Sequence, residues 1–185
     1  MKNWILPLIL LVFSTQIIQA QNLLYTKTGH AYFMSHTEAI DIDGNNNQVT
    51  SFLNIETGEI AFQMLVKSFK FTLATAEEHF NETYMESDKY PKAQFKGFVE
   101  NMQSIDLKKD GTYKAQVKGD LTIHGVSKAI KQEGNIVVKN GKITANSAFT
   151  VNIDDYAIKV PKMVEDRVAK NVDIKVDVEY VPYSK

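Results

Sequence analysis

The sequence predicts an all-β protein with one helix, folded as an antiparallel closed β-barrel of about eight strands. Three observations predict it. Apolar and polar residues alternate with period two along most of the chain, short turn signals separate the alternating runs, and only one substantial segment carries helical spacing instead. Strict alternation gives each strand one dry face and one wet face, which suits antiparallel sheet. Many such strands joined by hairpins argue for a closed barrel or a sandwich, and the barrel, whose interior can hold side chains or one small ligand, is favoured.

In chain order, Lys2 is followed by an apolar run from Trp4 to Val12, continued by Ile17 and Ile18 and closed by Gln19-Ala20-Gln21. One positive charge, an apolar stretch and a small boundary residue read as a secretory signal peptide over 1–20, cut after Ala20. Ser14, Thr15 and Gln16 interrupt the run before it reaches the length of a membrane span. The expected mature domain is 21–185, periplasmic or secreted. It has no cysteine and enough chain to build a core without disulfides.

Weaker strand patterns occupy 23–28, 30–37 and 47–55. Ile60, Phe62, Met64 and Val66 share the inward face of 59–67, and Ala93, Phe95, Gly97 and Val99 that of 93–100. In 112–124, Tyr113, Ala115, Val117, Gly119, Leu121 and Ile123 oppose Lys114, Gln116, Lys118, Asp120 and Thr122. A further strand is expected over 126–138. Ile143, Ala145, Ser147, Phe149, Val151 and Ile153 form the next dry face, and Val172, Ile174, Val176, Val178 and Tyr180 the last. Asp43-Gly44-Asn45, Thr57-Gly58, Asp110-Gly111 and Asn140-Gly141 are the turn signals, the last two flanked by alternating runs as hairpins require.

Residues 76–87 are the expected helix. Thr75 and Glu78 stand at capping-box spacing, and Phe80 and Tyr84 share a face at i, i+4. A short helical turn is expected between Met163 and Ala169, after Pro161.

Chemistry-bearing constellations are sparse. A net charge of −1 supplies no long-range field to attract nucleic acid or an anionic membrane. His30, His36, His79 and His124 lie far apart, without metal-ligand spacing, and no cofactor motif is present. His124, Asp120 and Ser127 can be drawn as a triad, but His124 and Asp120 are expected to point outward beside a turn. Glu77, Glu78, Glu82 and Glu86 read as a solvated helix face. No enzyme is expected.

Two blocks carry a family resemblance. Glu78-His79-Phe80, Tyr84-Met85-Glu86-Ser87 and Lys89-Tyr90-Pro91-Lys92-Ala93-Gln94-Phe95-Lys96-Gly97 form the first, and Gly119-Asp120-Leu121-Thr122-Ile123-His124-Gly125-Val126-Ser127-Lys128 the second. Both resemble the signatures of the YceI-like polyisoprenoid-binding family, in the same order and at similar separation. The resemblance implies an extended, lipocalin-like barrel with a helix in one long connection. It also implies a long isoprenoid-type or similar lipid held inside, in the periplasm or outside the cell. The polar stretch Ser35–Asn47 departs from the aromatic segment expected there, which leaves the ligand's identity open.

The residues expected to line such a cavity are Phe33, Phe62, Met64, Phe95, Tyr113, Ala115, Val117, Ala145, Phe149 and Val151, with Phe80 and Tyr84 from the helix as a cover. Gly97, Ala115, Gly119, Ala145 and Ser147 are small inward residues that leave space for a ligand. Each buried CH₂ contributes roughly 0.8 kcal/mol. Four or five isoprene units would therefore outweigh association costs of several kcal/mol and reach micromolar affinity, about 8 kcal/mol net, without a charged anchor. The same inward faces would equally fill a solid core. Three readings stay open: a lipid carrier or scavenger, a packed barrel that binds partners through its exterior, and a lipid-modifying enzyme using the barrel as a pocket.

Overall fold

The structure, a computed structural model, describes residues 22–183. The segment 1–20, read above as a signal peptide, lies outside the described residues. Eight antiparallel strands close in sequence order: β1 (Leu23–His36), β2 (Asp41–Asn54), β3 (Glu59–Leu65), β4 (Lys92–Val99), β5 (Gly111–Ile123), β6 (Val126–Lys139), β7 (Lys142–Asn152) and β8 (Asn171–Pro182). β1 pairs with both β2 and β8, and this closes the ring. Closure removes the free edges that eight alternating strands would otherwise expose.

The up-and-down order sorts the connections onto two ends. Turns 55–58 and 140–141 and the connection 100–110 close one end. Turns 37–40 and 124–125 and the long connections 66–91 and 153–170 meet at the other. Asn140 (φ 51°) and Gly141 (φ 76°) form the two-residue turn that Asn-Gly favours, because both positions need left-handed backbone.

Several sequence expectations are corrected. The patterns at 23–28 and 30–37 are one strand, β1, whose pairing with β2 slips around Gly29. Asp43-Gly44-Asn45 is not a turn; it lies inside β2, opposite Phe33-Met34 of β1, and the reversal comes at 37–40. Gly44 is there because the Phe33 ring rests on it: a Cβ at that position would stand 2.5 Å from Phe33 Cε1. Asp110-Gly111 is likewise no hairpin. Gly111 opens β5 after the connection 100–110, and the Asp110 carboxylate accepts from the Asn140 backbone N–H at 3.1 Å, bracing the neighbouring turn.

The helix, α1 (Ala74–His79), continues as a wider π turn over Phe80–Tyr84 and so begins and ends earlier than 76–87. The capping box does not form. Leu73 is the N-cap and no side chain caps the helix. Glu77 instead reaches back, its carboxylate 2.8 Å from Lys70 Nζ and accepting from the Phe71 backbone N–H at 3.4 Å. The hydrogen bond from Lys70 holds the Glu77 carboxyl below the usual carboxylate range.

The larger core cluster sits toward the closed end, and a smaller one of Ala31, Val49 and Phe69 lies higher in the barrel. In the larger cluster Leu24, Leu53, Ile60, Val99, Ile136, Val178 and Tyr180 are buried against Met102 and Ile105 of the 100–110 connection. Tyr180 donates to Ser51 Oγ at 2.7 Å, and that hydroxyl donates onward to the Ala61 carbonyl at 2.9 Å. Burial pushes the Tyr180 phenol well above its ordinary value. Gly97 and Gly119 are directly opposed across β4 and β5 under the Phe95 ring. They leave no space for a ligand: a Cβ on Gly97 would lie 2.2 Å from the Lys118 carbonyl oxygen. These glycines permit close approach of two strands.

β6 and β7 pair only between Gly134–Lys139 and Lys142–Ser147. Beyond Gly134, β6 stays with β5 and β7 stays with β8, so the wall forks toward the open end. The short helical turn Ile153–Tyr156 packs beside the fork with Ile153 and Tyr156 buried.

Candidate functional site: an apolar cavity at the open end

The inward alternation continues past the packed core, but there the side chains meet empty space. A cavity of about 480 Å³ opens at the end where the long connections meet. It falls within the range of small-molecule sites. Inward residues such as Phe62, Met64, Phe149, Val151 and Ile174 are only half-buried, whereas inward residues of the closed end such as Leu53 are fully buried.

Eleven of the twelve residues named from sequence lie on this cavity. Phe33 comes from β1, Phe62 and Met64 from β3, Phe95 from β4, and Ala115 and Val117 from β5. Ala145, Phe149 and Val151 come from β7, and Phe80 and Tyr84 from the helical segment across the opening. Burial pushes the Tyr84 phenol upward, so it stays neutral. Tyr113 is the exception. It is near the closed end, where its hydroxyl donates to the Lys109 carbonyl at 2.9 Å and its ring covers Gly111. Period two assigns a face but not a height along the barrel, so alternation alone could not separate Tyr113 from Val117.

Phe69, Phe71 and Leu73 were missed and also line the cavity. Their signal is the alternation of these three residues with Lys70 and Thr72 on the approach to the helix. Phe33, Phe69, Phe71 and Phe80 form one aromatic cluster: Phe80 stacks on Phe33 at 5.3 Å between centroids and meets Phe71 at 4.9 Å. Lys70 bridges to Asn45 of β2 through both backbone groups, at 2.7 and 2.9 Å, which fixes the strap carrying Phe69 and Phe71.

Polar groups on the lining are few, and several are paired already. Gln94 donates to Gln63 at 2.6 Å, Ser147 to the Glu133 carbonyl at 2.8 Å, and Ser35 accepts from the Ala169 N–H at 2.9 Å. The lining can therefore exclude water and hold an apolar chain, while offering little to activate a reacting group.

A second constellation joins the two sequence blocks. His124 does not point outward; it is 8% exposed, at φ 52° in the β5–β6 turn with Gly125. Its Nε2 lies 2.8 Å from a Glu86 carboxylate oxygen, its Nδ1 3.1 Å from the Tyr156 carbonyl, and its ring stands edge-on to Tyr90 at 4.5 Å. Both acceptors are satisfied only when both nitrogens donate. The hydrogen bond from His124, then the nearby Lys89 and Lys159 charges, hold Glu86 below the usual carboxylate range. Glu86 is thus not part of a solvated helix face. One imidazole ties together the segment after the helix, the β5–β6 turn and the turn that covers the fork. Asp120 is exposed, and Ser127 is engaged by Thr122 at 2.9 Å, so no triad assembles with His124. No three acidic or histidine side chains among the described residues gather as a metal site.

The sequence matches the YceI-like domain over residues 22–180, and the chain belongs to that family. A UPF0312 protein of Pseudomonas putida is 27% identical over 157 residues, covering 81% of this chain and 75% of the relative. Among solved structures, a polyisoprenoid-binding domain from Saccharophagus degradans implicated in plant cell wall breakdown superposes with a TM-score of 0.77 at 13% identity. The match covers 88% of this chain and 99% of that one. Burkholderia cenocepacia BcnA superposes with a TM-score of 0.68 at 14% identity, covering 83% and 96%. At these identities the likeness is one of fold.

Proposed function

We propose that this YceI-like protein is an exported lipid-binding protein that takes a long apolar chain, isoprenoid-type or fatty-acyl, into the barrel as a carrier or scavenger and performs no catalysis. The observation that carries the reading is the contrast along one continuous inward surface, buried toward one end, where Ile60, Val99 and Ile136 form the cavity floor, and opening into about 480 Å³ of apolar space toward the other. An interior that served only as a core would be filled to crystal-like density throughout. The Saccharophagus degradans domain of the same fold is described as polyisoprenoid-binding, which supports an isoprenoid-type ligand here. Export rests on the charged, apolar and small-residue pattern of residues 1–20.

Mass spectrometry of the protein purified from its own cells tests both parts at once. The expected result is a polypeptide beginning at Gln21 that carries a lipid under native conditions and releases it on denaturation. A polypeptide without any extractable lipid, unable to take one up from detergent or vesicles, would overturn the carrier reading. A polypeptide that retains residues 1–20 would overturn cleavage. Turnover of an added lipid ester would transfer the cavity to an enzyme.

A further inference from the structure

We propose that the cavity selects amphiphiles whose polar end is an anionic oxygen group, carboxylate or phosphate, held at the mouth by Arg167. The proposal rests on the reading of the cavity as a lipid site and adds the class of headgroup.

Arg167 is the only arginine in the chain. It lies in the 153–170 connection at the mouth, and Val164, Arg167 and Val168 all line the cavity. Among the described residues no aspartate or glutamate lines the cavity, although the chain contains 22 acidic residues. Three acids on the segments around the mouth are engaged elsewhere: Glu77 with Lys70, Asp41 with His36, and Glu86 with His124. Arg167 itself makes no ion pair among the described residues, even though Glu165 and Asp166 precede it. His79 and Thr75 of α1 also line the cavity and add hydrogen-bonding groups without negative charge.

Among the described residues, Arg167 is the only one lining the cavity that carries a fixed charge, and Glu165 and Asp166 beside it are exposed and do not line the cavity. A planar guanidinium presents five N–H donors in a fork that fits two oxygens of a carboxylate or phosphate. Low-dielectric walls beneath it strengthen that preference and oppose a cationic headgroup. With the tail among Phe33, Phe69 and Phe80, the polar end of an amphiphile would be left at the opening, where Arg167 stands.

Competition binding with ligands of one chain length tests the proposal: palmitate, monohexadecyl phosphate, hexadecanol and hexadecyltrimethylammonium. Each is measured on the wild type, Arg167→Gln, Arg167→Lys and the exposed control Lys162→Gln. Arg167 is exposed, so both anions should bind about two- to fivefold more tightly than the alcohol, and the cation more weakly. Arg167→Gln should erase the difference without changing hexadecanol affinity; Arg167→Lys should keep part of it, and Lys162→Gln all of it. Equal binding of anions and alcohol to the wild type, or a preference that survives Arg167→Gln, would overturn the proposal while leaving the cavity reading intact. Displacement of monohexadecyl phosphate by millimolar inorganic phosphate would mark a free-anion site and overturn the headgroup role. If none of the four ligands bound the wild type, the lipid reading would fall and the headgroup proposal with it.

Discussion

The two ends of the barrel are built from the same strands by the same alternation, yet one is a core and the other a cavity. At the closed end short turns let neighbouring strands converge, and Met102 and Ile105 of the 100–110 connection plug the remaining space. At the open end the connections 66–91 and 153–170 are long enough to arch over the opening. The first contributes aromatic side chains to its rim and the second aliphatic ones and Arg167, without filling the interior. An apolar face states only that water is excluded. Whether protein or ligand excludes it depends on what the connections place there.

The largest expected difference between the ends comes from truncating one large side chain in each. Leu53 is 0% exposed, and Leu53→Ala should cost about 2–5 kcal/mol through lost burial and the void left behind. Phe149→Ala removes a larger side chain from a half-buried position on the cavity wall and should cost clearly less. Denaturant midpoints of both variants, stripped of lipid, decide it. Equal costs would mean that the open end is packed as the closed end is.

A smaller effect sharpens the boundary between the ends. Ala145 lines the cavity but pairs with Ile136 and Val178 of the core. Ala145→Phe should leave stability within about 1 kcal/mol of the wild type and lower the amount or chain length of bound lipid. If the space beside Ala145 is solid, the same change overpacks it and costs roughly 1–3 kcal/mol. Thermal unfolding and lipid content measured on the same samples separate the two outcomes.

The smallest effect concerns how the cover is held over the open end. Glu86 has a folded-state pKa below its unfolded one, so its bond to His124 contributes stability above the unfolded value, near pH 4.5, and loses it as pH falls through the lower folded value. Wild-type denaturant midpoints should therefore decline over that acid interval. Glu86→Gln should begin lower at neutral pH and show a shallower acid decline. Identical pH profiles for the two proteins would show that the Glu86–His124 contact does not hold the cover.

Much of this was legible in the residues. Strand patterns fell on part of every strand, although β1 was split in two and the first half of β2 was read as a turn. Asn140-Gly141 located a hairpin because left-handed backbone there has few alternatives, and eleven of twelve named residues lie on the cavity. The misreadings share a cause. Gly44, Gly97 and Gly119 were read as a turn or as spare room; each accommodates a ring or strand contributed by residues distant in sequence. Thr75 has a capping sequence, but its side chain lies at the cavity mouth, while Glu77 satisfies a neighbouring backbone group. His124 was placed outward because its turn is exposed in isolation. Its burial comes from Glu86, Tyr90 and Tyr156, which reach it from two other connections.

The sequence by itself determined the face of each strand, because period two is a property of the extended backbone and needs no partner. It narrowed the fold to a closed barrel or a sandwich, since either lets one-sided strands bury their dry faces together, and the pairing of β1 with β8 made it a barrel. Only the tertiary structure decided how far the core extends, which glycines are contacts, and that Arg167 stands at the mouth. Those depend on the height at which distant connections cross the barrel, and no local pattern encodes that height.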